Sequence, residues 1–234
     1  MSFNYNELPQ KEAALCSFSM GKDSIATYLE LRDHIENVVP VYLYGIPDLE
    51  FVEDNLLYYE QKMGRHIIRL PQPKFYAMLN DLQYQPPDEA RHEVIRGWQL
   101  DNHTHEDCRV AACEVEGLDP DTTYMGIGLK YADSIQRRTS LARNGLITYS
   151  LRKFYPIAEY SKQDVLDKIS KSGWKLPSDY RYFKDSFDGL QIRYLGPIKK
   201  NFPRDYQKIL EWFPLAECEV LRYERSLKNG TATT

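Results

Sequence analysis

Residues 12–35 read EAALCSFSMGKDSIATYLELRDHI. The run EAALCSF is apolar throughout except at Glu12 and Ser17, which predicts a short strand buried on both faces. The segment IATYLELRDHI predicts a helix. Between them lies SMGKDS, a tight loop containing one glycine. A strand, a tight turn and a helix start together form an anion site. The first N–H groups of a helix lack internal partners, and the helix dipole adds partial positive charge there. Gly21 permits close approach of the backbone. Lys22 can neutralise a phosphate, Ser19 and Ser24 can donate hydroxyl hydrogens, and Asp23 can assist magnesium or favour the helix N-terminus.

Outward from this stretch the alternation continues. VVPVYLYG (38–45) has the pattern of a second buried strand closed by Gly45. Val52, Leu56, Tyr59 and Met63 then fall on one helical face, with Gly64 placed to end the helix. HIIRL (66–70) reads as a third strand, ended by Pro71 and Pro73. The expected fold is therefore α/β, a parallel sheet flanked by helices, with ligands bound beyond the carboxyl ends of strands. Residues 89–100 and 105–117 predict helices after a break at QYQPPD (83–88), and YMGI (124–127) predicts a fourth strand. A helix starts at Ser161, with Asp164 in capping-box spacing. Residues 175–203 read as irregular, and within them 179–189 as a lid or a packing segment. Residues 204–225 read as helical with an interruption at Pro214, and the tail KNGTATT as frayed. The expected domains are a nucleotide-binding domain over 1–160 and a helical and irregular extension over 161–234 packed on it.

The composition sets further bounds. The chain has 234 residues, 42% hydrophobic and 27% charged, with a net charge of −4. No Lys or Arg run exceeds two residues, which argues against a general nucleic-acid binder while leaving a local basic patch open. No apolar run approaches a membrane span, and the first residues lack a secretory pattern, so a cytoplasmic protein without a membrane partner is expected. Cys16, Cys108, Cys113 and Cys218 do not form the pattern of a secreted disulfide scaffold. His103, His105, Cys108 and Cys113 are soft ligands at short spacing, but Cys108 and Cys113 lie on different faces of a helix and no second knuckle follows. No metal ligand set is therefore assigned.

SMGKDS is not a Walker A loop: Cys16 and Asp23 stand where that motif needs Gly and Ser or Thr. It resembles the PP-loop of the adenine nucleotide α-hydrolase group, usually SGGKDS, with Met20 the one departure. Three further segments resemble the phosphoadenosine phosphosulfate reductase family. VYLYGIPDLEFVED carries Leu49-Glu50-Phe51 and Glu53. MGIGLKYADSIQRR matches the family's GIRADESxxRR at Gly126, Ile127, Ala132, Asp133, Ser134, Arg137 and Arg138, with two residues inserted after Gly-Ile. YPIAEYSKQDV matches at Pro156 and Asp164-Val165, with Tyr160 where Trp is commoner.

The resemblance implies an adenine nucleotide α-hydrolase-like (Rossmann-like) fold and an enzyme that binds ATP with Mg²⁺ and adenylates a substrate, with sulfur transfer or nucleic-acid modification as its setting. It implies catalytic roles for Lys22, Asp23 and Arg137. It places nucleotide contacts at Ser17, Phe18, Ser19, Met20, Gly21, Lys22, Asp23, Ser24, Tyr44, Gly45, Gly126, Ile127, Gly128, Asp133, Ser134 and Arg138. The partners it implies are an adenine nucleotide and a nucleic-acid or protein acceptor, in a homodimer or a modification complex; members with similar loops occur in phages. Two alternatives stand beside this one. A sulfonucleotide reductase would use Cys218, although LAECEVL lacks the Gly and His of the family's ECGLH-like motif. A non-catalytic nucleotide-binding subunit would need no such cysteine.

Overall fold

The computed structural model describes residues 3–228; the tail beyond, including most of KNGTATT, lies outside the described residues. Two compact units emerge. The first comprises Met1–Leu43, Leu56–Leu70 and Thr104–Pro177, and the second Tyr44–Asn55, Pro71–His103 and Ser178–Thr234.

The strands are β1 (Ala13–Ser17), β2 (Asn37–Tyr44), β3 (Ile68–Pro71), β4 (Met125–Gly126), β5 (Ile147–Thr148) and β6 (Lys153–Phe154). Among the described residues they form a six-stranded sheet in the order β3-β2-β1-β4-β6-β5. β1 runs parallel to β2 and β4, and β4 parallel to β6; β5 is antiparallel to β6. The fold is thus α/β with a mostly parallel sheet, as the alternating pattern predicts.

β1 is central, so both its faces are covered. Leu15 packs in a core with Val39, Val41, Ile68 and Met125 and with Ala112 and Cys113 of α5 (His105–Val115). The next residue, Cys16, points to the other face and is fully buried, where burial pushes its thiol pKa up. On that other face Gly126 lies against Leu31 of α1 (Lys22–Arg32) and Phe154; a Cβ there would stand 2.8 Å from Leu31 Cδ1. α1 also packs along α7 (Lys162–Ser172). The buried Glu30 carboxylate accepts from Tyr160 Oη and Lys168 Nζ, both at 2.6 Å.

Several expectations hold closely. α2 (Glu50–Met63) ends at Gly64, whose φ is +68°. Ser161 and Asp164 cap α7 reciprocally; Thr104 and Asp107 cap α5 in the same way, a pair the sequence reading did not single out. The segment 83–88 is non-helical, between α3 (Pro73–Asn80) and α4 (Glu89–Gly97).

The segment after β4, for which the pattern gives no element, contains α6 (Ile135–Asn144), and the short strands β5 and β6 follow it. Two expectations are corrected. Residues 175–203 are not irregular throughout: they contain α8 (Tyr180–Phe183) and α9 (Ile192–Asn201), the latter with Pro197 inside it. Burial of Tyr194, Leu195 and Ile198 outweighs the break that Gly-Pro signals. The fourth strand is shorter than YMGI, since only Met125 and Gly126 pair.

The second unit also contains α10 (Pro203–Trp212) and α11 (Ala216–Lys228), separated at Pro214 as expected. Its core gathers Phe51 with Phe183, Phe187 and Phe202. Buried Asp205 of α10 accepts from the N–H groups of Glu50 and Phe51, at 2.6 and 3.1 Å, and so caps α2.

Candidate anion site at the ends of strands one and four

The chain adds β2 and β3 on one side of β1 and then returns to place β4 on the other. The carboxyl ends of β1 and β4 therefore flank a topological switch point, where open parallel sheets leave a crevice for ligands. SMGKDS leaves β1 there, and residues 127–134 leave β4.

Each residue of the loop has a definable task. Ser17 ends β1 half-buried. Phe18 donates its N–H to Val41 O and is fully buried, its ring edge-on to Tyr28 and Tyr59. It anchors the loop rather than facing solvent. Met20 turns the chain with φ +59°, in the left-handed region, and its side chain is buried. This is the position where the resembled motif has glycine, and the backbone conformation supplies the reason: left-handed φ costs a side-chain-bearing residue energy that glycine does not incur. Gly21 is the N-cap of α1 and brings no side-chain cap, and α3, α9 and α10 also lack one, whereas α4, α5, α6 and α7 are each capped by their own Asp88, Thr104, Ser134 and Ser161. Ser24 Oγ donates to Gly21 O at 2.9 Å and receives Ser19 Oγ at 3.3 Å, which closes the loop on itself.

The charged groups form a chain. Lys22 Nζ lies 2.8 Å from Asp23 Oδ2. Lys130 Nζ contacts Asp23 Oδ1 and lies 2.9 Å from Asp133 Oδ1. Asp133 Oδ2 accepts from Arg137 Nη1 and from the Lys130 N–H, both at 3.0 Å. Burial alone would raise the Asp133 carboxyl, but its bonds to Lys130 and Arg137 hold it below the usual carboxylate range. Asp23, Asp133 and Arg137 are thus brought together in one cluster. The ammonium that joins them, Lys130, is a residue the sequence reading missed. It is 3% exposed, and a buried lysine needs opposite charges around it. One signal could have found it: with two residues inserted after Gly126-Ile127, Lys130 stands where the resembled motif has its arginine.

Gly128 completes the contact. A Cβ there would stand 2.9 Å from the carbonyl carbon and oxygen of Asp23 and from Thr27 Oγ1. Thr27 Oγ1 itself donates to Asp23 O. Only glycine lets the strand-four loop approach the strand-one loop so closely. Ile127 donates its N–H to Phe154 O and borders the sheet core. Ser134 accepts from Arg137 N as the N-cap of α6. Arg138 is exposed, with one long bond from Nε to Tyr131 O.

Tyr44 and Gly45 belong to the second unit. Tyr44 O accepts from Gln72 N, and its ring lies edge-on to Phe75. Gly45 lines a small cleft with Ile46, Gln72, Lys74 and Phe75. Cys218 is exposed in the first turn of α11. Cys108 and Cys113 are buried thiols of α5, beside the fully buried Arg109, which Glu106, Pro120 O and Thr123 O satisfy. His103 Nε2 bonds Pro71 O. Among the described residues no group of three His, Cys, Asp or Glu side chains is placed to hold a metal, and no helix is long and apolar enough to cross a membrane.

No family model matches the chain, and no curated protein matches it. Among solved structures it is similar to the U34-tRNA thiolase NcsA from Methanococcus maripaludis with its 4Fe-4S cluster, at 16% identity over 92% of this chain and 76% of that one, with a TM-score of 0.45; the α/β assignment rests on the sheet order described above.

Proposed function

We propose that the protein is a PP-loop ATP pyrophosphatase-type enzyme that holds the phosphates of ATP at residues 19–24 and adenylates a substrate. The carrying observation is the charge chain Lys22–Asp23–Lys130–Asp133–Arg137, set at the switch point beside a helix N-terminus with no side-chain cap. A substrate oxygen forms a bond to the α-phosphorus. The bond from that phosphorus to the α,β-bridging oxygen breaks, and pyrophosphate leaves with the electron pair. A sulfur or nitrogen nucleophile then displaces AMP. The chain's own share is electrostatic: the N–H groups at the start of α1, the Lys22 ammonium and the Arg137 guanidinium meet charge as it develops on the phosphates.

Asp23 has a narrower part than a metal ligand. Each of its oxygens is bonded to an ammonium group, which suits it to orienting Lys22. Magnesium belongs to the proposal as the ion that accompanies ATP phosphates in solution, and no step is assigned to it.

The test is product analysis with the purified chain and ATP. Release of pyrophosphate with AMP, reduced by at least about tenfold in Lys22→Ala, is the expected result. Cleavage to ADP and phosphate, or turnover indifferent to Lys22, would reject this reaction class.

A further inference from the structure

α6 is anomalous as a helix. It is ten residues long, and only Leu141 is buried. Isolated helices of that length are marginal in water, and a helix that is polar all round gains little from a core. Its surface is Gln136, Arg137, Arg138, Thr139, Ser140 and Arg143, with Ile135 at its start 82% exposed. It has no apolar face to lay on a bilayer.

Its charge is also anomalous. From residue 134 to residue 158 there are five basic residues, Arg137, Arg138, Arg143, Arg152 and Lys153, and no Asp or Glu. This stretch lies in a chain whose net charge is −4. Arg152 is neutralised by Asp121, and Arg137 is tied to Asp133. The Arg143 side chain has no ion pair or hydrogen bond among the described residues, and the Arg138 side chain has only its long bond to Tyr131 O. A shallow groove along the helix is lined by Ile135, Gln136, Thr139, Ser140, Arg143 and Asn144, which offers a guanidinium with hydroxyl and amide donors on one side. After β5, Tyr149 stands 58% exposed.

We propose that α6 and the turn at Tyr149 form a docking surface for a nucleic-acid strand. Guanidinium, hydroxyl and amide donors suit phosphate and sugar oxygens, and an exposed aromatic ring suits base stacking. Because α6 itself carries Arg137 and closely follows Asp133, the surface adjoins the candidate nucleotide site in the same unit. The proposal deepens the reading above by naming the acceptor. Its chemistry rests on that reading, while its binding is testable alone.

The experiment uses the full chain and fluorescent oligonucleotides of about twenty nucleotides, RNA and DNA of one sequence, titrated by polarisation at about 50 and about 200 mM salt. Wild type, Arg143→Gln, Arg143→Glu and Tyr149→Ala are compared, with ATP titrated separately into each. The expected result is binding of at least one polymer, weakened about tenfold by Arg143→Glu at low salt, with a salt slope shallower by about 0.7 in Arg143→Gln and ATP affinity unchanged. RNA-only binding would point to contacts with the 2′-hydroxyl, and equal binding to contacts with phosphate. Binding of neither polymer by wild type would overturn the proposal, as would Arg143 variants with unchanged helical signal that bind like wild type. Arg143-dependent polymer binding without ATP binding would leave the surface standing and remove the nucleotide reading.

Discussion

Met20 is where the chain departs from the string it resembles, and its backbone makes the departure testable. The residue has φ +59° and a buried side chain. Two effects of opposite sign act there. Left-handed strain disfavours any side chain by about 1–2 kcal/mol, whereas truncating a buried methionine costs about 2–5 kcal/mol. Burial therefore wins, and both truncations should destabilise. Met20→Gly, freed of the strain, should nevertheless be more stable than Met20→Ala by about 1 kcal/mol, the reverse of the usual order. Denaturant unfolding of the two variants checks this, and Ala above Gly would contradict the left-handed turn. Lys130 gives the second residue-scale prediction. Lys130→Met leaves Asp23 and Asp133 without their shared cation, and should cost about 2–4 kcal/mol of stability while weakening ATP binding. Lys130→Arg should recover part of both, by unfolding and titration. SMGKDS was legible because its chemistry is local. The role of Lys130 was not, since its partners come from two loops that only the folded sheet brings together.

At the scale of elements, long segments with clear periodicity were legible, and short or internally contradictory ones were not. β1, α2 and α7 each carry a pattern and a boundary signal, such as the Ser161–Asp164 box. β5 and β6 have two residues apiece, too few for any period to show. In α9 the local Gly-Pro signal opposes the fold, and tertiary burial decides. The cap of α2 is likewise invisible in sequence, because Asp205 lies more than 150 residues from the N–H groups it accepts. Asp205→Ala should destabilise the protein by about 1–2 kcal/mol, the range for a lost N-cap. Equilibrium unfolding monitored at the Trp residues measures it, and an unchanged midpoint would show that α2 needs no such cap.

At the scale of the whole molecule, charge and unit composition matter most. The net charge of −4 hides the basic stretch around α6, so a global count and a local surface lead to different expectations about partners. The second unit draws together residues 44–55, 71–103 and 178–234, an association that no local pattern announces. Its core holds a titratable group of consequence. Asp179 is 3% exposed, and burial pushes its carboxyl pKa up to about 6, against an opposing bond from Asn55. A folded pKa above the unfolded one means the contribution to stability is full below the unfolded value and is lost as pH rises through about 6. Stability should therefore fall between roughly pH 4 and pH 7, by up to about 3 kcal/mol from this group. Asp179→Asn, which keeps an acceptor for Asn55, should flatten that dependence and be the more stable form at neutral pH. A variant with the wild-type pH profile would contradict the assignment.

The most direct measurement of the central claim is calorimetric titration of the full chain with magnesium-ATP and, separately, phosphoadenosine phosphosulfate, in wild type and in Lys22→Ala. The account predicts that ATP is preferred and that Lys22→Ala weakens it at least about tenfold, or about 1.4 kcal/mol. Preference for the sulfonucleotide, or ATP binding that ignores Lys22, would contradict it.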